Sequence, residues 1–182
     1  MSIELLLKVI DGGFDRKAWH GPTLRGALRG VGVAAAAWRA SSKSHNIWEL
    51  TVHAAYWKYA VRRLLTGEKR GSFPLDGSNW FERPDPRLRA RGSSEAAWKK
   101  DLALLAIEHQ KLRDTVAALP DAALARRSPG KAYSLGFAIR GIAAHDVYHA
   151  GQVQLLKRLY KDSRPRASAF RRLKAPGSGR RA

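Results

Sequence analysis

From Ser134 to Tyr160 the apolar residues recur in steps of three and four. Leu135, Ala138, Ile142, Leu156 and Leu159 share one stripe, and His145, His149 and Gln152 fall on it too. That spacing predicts an amphipathic helix with two imidazoles one turn apart on its inward face. A core-facing imidazole needs a partner, because a buried polar nitrogen left without one costs on the order of 1–3 kcal/mol. A divalent cation would serve both rings at once. The i, i+4 spacing is weak by itself, since hydrogen-bonded core histidines leave the same trace.

Three further segments carry the helical period. The first runs from about Ile3 to Arg16, with Leu6, Val9, Ile10 and Phe14 on one side, and its pattern resumes after Gly21-Pro22 at Leu24, Leu28 and Val31. The second opens at Asn46, which with Glu49 three residues on resembles a capping box, and closes near Gly67. Its inward stripe is Leu50, His53, Trp57, Ala60 and Leu64. The third spans about Glu95 to Leu119, with Trp98, Leu102, Leu105, His109, Leu112, Val116 and Leu119 at helical spacing, and stops at Pro120. No alternating β-pattern and no solenoid-length repeat is present, so the chain reads as all-α, a four-helix bundle with a long loop between helices two and three. His53 then faces the core as well. Three inward imidazoles on two helices, with no acidic residue on the same stripes, fit a three-nitrogen metal site with open positions; three unrelated core histidines are the alternative.

Composition sets outer limits. A chain of 182 residues with 45% hydrophobic content can bury one core, and no apolar run approaches the length of a membrane span. The N-terminus has neither a basic n-region nor a small-residue cleavage site, so a cytoplasmic location is expected, with no membrane partner. The absence of cysteine excludes disulfides, thiolate ligands and a cysteine nucleophile. Histidine and carboxylates remain as metal ligands, and any thiol chemistry must use a cosubstrate's sulfur.

The connection from Gly67 to Gly92 exceeds the roughly 2–8 residues common between bundle helices, and its Phe73, Trp80 and Phe81 argue for packing. It is either a flap that walls the metal pocket or a surface wrap, and the sequence does not say which end of the bundle it covers. His109 can be a fourth ligand, a proton shuttle in the pocket, or a histidine at the far end of the bundle, hydrogen-bonded to backbone or water. Gln152, three residues after His149, can orient a ligand imidazole or simply pack as a helix amide. Tyr56 and Tyr59 are candidate pocket hydroxyls, although bundle tyrosines are commonly structural. His20 and His45 read as turn or surface residues.

The net charge of +19 raises nucleic-acid binding as a competing function. Residues 161–182 are rich in Lys and Arg, poor in apolar residues and interrupted by Pro165, Pro176, Gly177 and Gly179, so they read as a basic disordered tail after a domain of residues 1–160. No nucleic-acid-binding motif is present, and the aromatics fall at core spacings instead of interleaving with the basic residues. Nucleic acid is therefore a disfavoured partner.

The segment from Ile47 to Lys58 around His53, and the segment from His145 to Leu159, resemble the two signature segments of the DinB-like family, of the DinB/YfiT type. The resemblance covers most of residues 1–160. It implies a four-helix bundle in which His53, His145 and His149 hold one divalent metal ion, zinc first and nickel second. That triad does not include His109, which favours the far-end reading of this residue. Characterised relatives include thiol-dependent S-transferases and a mycothiol-dependent isomerase, while many members have no known reaction. The resemblance thus implies a metal-dependent transferase that activates a low-molecular-weight thiol toward an electrophile, with a metal-dependent hydrolase and a non-enzymatic stress or binding protein as alternatives. A homodimer is expected.

Overall fold

The structure, a computed structural model, describes residues 2–85, 95–127 and 130–164. Four long helices carry the fold: α1 (Ile3–Phe14), α4 (Ile47–Thr66), α5 (Glu95–Ala117) and α6 (Leu135–Ser163). Two short ones, α2 (Leu24–Leu28) and α3 (Val33–Ala37), lie in the connection between α1 and α4. Among the described residues there is no strand, only an isolated bridge between Arg127 and Ser134. α4 packs against α5 and α6, α1 packs against the same two, and α2 lies on α6. The tail expected beyond Tyr160 falls largely outside the described residues, and α6 itself runs on to Ser163.

Local chemistry explains the helix ends. The Asn46 side chain accepts from the Glu49 N–H while Glu49 reaches back to the Asn46 N–H, closing the capping box anticipated from the sequence. Gly67 ends α4 with φ of 75°, a left-handed conformation that favours glycine. Ser134 caps α6 through the Phe137 N–H.

The apolar core divides into two clusters. One gathers Ile47, Trp48, Val52, Trp98, Leu105 and Val153; the other holds Leu6, Ile10, Leu112, Val116, Ile139 and Ile142. On α4, α5 and α6 the residues between the clusters are polar: Lys58 and Arg62, Glu108 and His109, His145, Asp146 and His149. The bundle therefore has a polar waist, and the candidate site lies in it.

Two inward stripes differ from the sequence reading. On α6 the buried face follows Ile139, Ile142, Asp146, His149, Val153 and Leu156, which turns His145 to its edge and leaves Leu159 exposed. On α4 the buried face is far broader than one stripe and includes Val52, Ala55, Lys58 and Tyr59, while Trp57 stands 38% exposed. The cause is packing: α4 has helices on two sides and the loop after it on a third.

Candidate metal centre

α4 and α6 bring His53, His145 and His149 to one point. One ring nitrogen from each lies within 4.8 Å of the others. The His145 Nε2 is 3.2 Å from the His53 Nε2 and 3.0 Å from the His149 Nε2. Two nitrogens bound to one ion at about 2.1 Å are separated by about 3.0–3.4 Å at right to tetrahedral angles, so the spacing suits a shared cation. Among the described residues no other group of three histidine, aspartate or glutamate side chains gathers this closely.

The outward nitrogens fix the tautomers. His53 Nδ1–H donates to the Asn79 carbonyl oxygen at 2.8 Å, and His149 Nδ1–H donates to the Gln152 Oε1 at 2.6 Å. Both Nε2 atoms then present lone pairs. A single N–H on the His145 Nε2 cannot fully satisfy two acceptors, and His145 Nδ1 has no partner. Burial also holds all three rings neutral, depressing His53 to about 4, His145 to about 3, and His149 below the ordinary histidine value. Three converging neutral imidazoles, two of them with bare Nε2 atoms and the third with a free choice of tautomer, form a donor set that fits a divalent ion.

The loop after α4 reaches this end of the bundle. Trp80 stacks on His53 with ring centroids 3.8 Å apart and on His45 at 3.6 Å, and Asn79 accepts from Trp57 Nε1–H through its side chain. The loop is tied down behind the triad. Arg83 donates through Nε to Asp101, which also accepts from Trp48 Nε1–H, and the Arg83 carbonyl accepts from the Asn46 amide. Residues 86–92 of the expected loop lie outside the described residues.

Two depressions meet the triad from different sides. A groove of about 470 Å³ between α4 and α6 ends at His145, and another of about 410 Å³ reaches His149 beside His45, Trp80 and Tyr148.

Several candidates from the sequence lie elsewhere. His109 stacks on Phe14 at 3.7 Å and belongs to the waist, neither joining the triad nor sitting at the far end of the bundle. Tyr56 and Tyr59 face the loop, where their hydroxyls accept from Arg70 and from the Gly71 N–H. His45 is more than a surface residue: besides stacking on Trp80 it pairs with Glu49, which also binds Arg39. His45 lies just before the helix cap and one turn from Glu49, a signal that i, i+4 spacing could have supplied. The buried Lys58–Asp146 pair was also missed, although Asp146 lies four residues after Ile142 and three before His149 on one helical stripe.

No curated protein and no solved structure gives a significant match to this chain. A family model for the DinB superfamily matches residues 18–153, which include the three histidines and the helices that carry them, and the chain belongs to that superfamily.

Proposed function

We propose that His53, His145 and His149 hold one divalent metal ion, zinc first and nickel second, and that the protein transfers a low-molecular-weight thiol to an electrophile. The observation that carries the metal reading is the convergence of three Nε2 atoms, two of them on rings whose Nδ1–H is already engaged. A metal ion held there supplies Lewis acidity, lowering the pKa of a thiol or water that enters its open positions.

The chain's own residues supply position and exclusion. Asn79 and Gln152 orient two of the imidazoles, and Trp80 covers the face of His53 against solvent. Two depressions ending at different histidines give room for two reactants, which favours transfer between a thiol and a second compound over simple hydrolysis. In the transfer the thiol's proton passes to solvent, its sulfur forms a bond to the electrophilic carbon, and the bond from that carbon to the leaving group breaks, the leaving group departing with the electron pair. With no cysteine in the chain, the sulfur belongs to the cosubstrate.

Cobalt substitution tests the reading. A small-thiol titration of the cobalt-loaded protein should give saturable sulfur-to-metal charge-transfer absorption, and the native-metal protein should consume an electrophile only when thiol is present. An unchanged cobalt spectrum, together with turnover of esters or amides without thiol, would give the site to hydrolysis. Metal binding with neither activity would make it a non-enzymatic stress or binding protein.

A further inference from the structure

The groove between α4 and α6 has the size and the charge of a ligand site. Its volume of about 470 Å³ lies within the roughly 300–1,000 Å³ usual for small molecules. Trp57, Ala60, Phe137 and Gly141 line its length, and His145 closes one end. Trp57 and Phe137 are 38% and 55% exposed, so two aromatic faces stand open along it.

The other end is cationic. Arg63 follows His53 on α4 by ten positions, and α6 begins at Leu135, ten positions before His145, with Lys131 just ahead of it. At about 1.5 Å per residue these cations stand about 15 Å along the helices from the triad. Lys131 is exposed and makes no ion pair among the described residues. Arg63 spends its Nε–H on the Glu68 carbonyl. Arg63 also lies near enough to the Glu68 carboxylate to lower its pKa, so the free charge at this end is that of Lys131. An apolar channel with that cation at one extreme and the triad at the other matches a long molecule with an anionic head.

We propose that this groove binds an elongated apolar anion, a carboxylate or sulfonate whose head meets Lys131 and Arg63. Its apolar body lies over Ala60 and Gly141 between Trp57 and Phe137. Its far end reaches His145. This assignment rests on the metal-centre reading for its catalytic meaning: the electrophile is then an apolar compound whose reacting carbon lies roughly 12–15 Å from its charged group.

Calorimetric titration of the full chain with dodecanoate, and with dodecanol as the uncharged control, tests the inference. Gly141 offers a clean block, because a Cβ there meets no atom within 4 Å and a larger side chain projects into the groove without displacing the core. Dodecanoate should bind the wild type at a single site, more tightly than dodecanol does. Lys131→Gln should weaken dodecanoate by roughly three- to tenfold and leave dodecanol unchanged. Gly141→Leu should weaken both by more than about tenfold while thermal unfolding stays near wild type.

Equal dodecanoate affinity in Gly141→Leu and wild type would overturn the inference, and so would equal binding of dodecanol and dodecanoate. So would absent dodecanoate binding with a dimer that Gly141→Leu dissociates, which would give the groove to a second copy of the chain. His149→Ala separates this inference from the metal reading. Loss of metal with dodecanoate binding retained supports both. Metal content that ignores the triad variants removes the metal reading, while the dodecanoate titrations still decide the groove.

Discussion

Lys58 on α4 donates to the Asp146 Oδ2 on α6, and neither side chain has any exposure to solvent. The pair joins the two helices that carry the triad, one residue from His145 and five from His53. Burial holds the Asp146 carboxyl above the ordinary carboxylate value, a rise that the Lys58 ammonium reduces without cancelling, and Asp146 Oδ1 finds no partner.

Removing one member should therefore strand the other. Lys58→Met or Asp146→Leu alone should cost about 3–5 kcal/mol in urea unfolding, and the double variant should recover most of that loss, since a buried pair replaced by apolar residues is often neutral. Single variants within about 1 kcal/mol of wild type would show that water reaches the pair in solution.

Gln152 accepts from the His149 Nδ1–H and donates from its own amide to the Tyr148 hydroxyl. Gln152→Leu should leave the helix intact and lower metal affinity by about 10–100-fold, the usual cost of losing a partner that orients a ligand imidazole. Chelator competition measures it, and an unchanged affinity would make Gln152 a packing residue only.

His109 should make the fold acid-sensitive independently of any metal. Burial against Phe14, aided by the positive charges of Lys58, Arg113 and Arg25, holds it down at about 3, against an ordinary value of 6.5. The unfolded chain therefore binds the proton first. The stability this neutral ring contributes is complete above about pH 6.5 and is lost as the pH falls toward 3. His109→Leu should flatten the acid side of the stability curve below pH 6 and leave metal content unchanged. An identical acid curve in the variant would contradict the assignment.

The helices were legible because their signals are local. Asn46 with Glu49, Gly67 in a left-handed turn and the three-four spacing around His145 and His149 depend on near neighbours in the chain. The polar waist was not, because Lys58 and Asp146 are far apart in sequence and each alone looks like a solvated charge on a helix. The same holds for Trp80: its aromatic ring announced packing, but its place between His45 and His53 is set by Arg83 and Asp101, which only the folded loop brings together. Trp57 was assigned to the core because helical spacing locates a face without saying where a groove opens beside it.

The triad itself is tested most directly by metal content. Wild type, His53→Ala, His145→Ala, His149→Ala and, as a control distant from the triad in sequence, His20→Ala are loaded identically with zinc, desalted and analysed for bound metal and thermal stability. Wild type and His20→Ala should retain up to one ion per chain and unfold at a higher temperature loaded than stripped. Each triad variant should lose most of its metal and most of that stabilisation. Equal occupancy in all five would contradict the account and leave His53, His145 and His149 as core histidines.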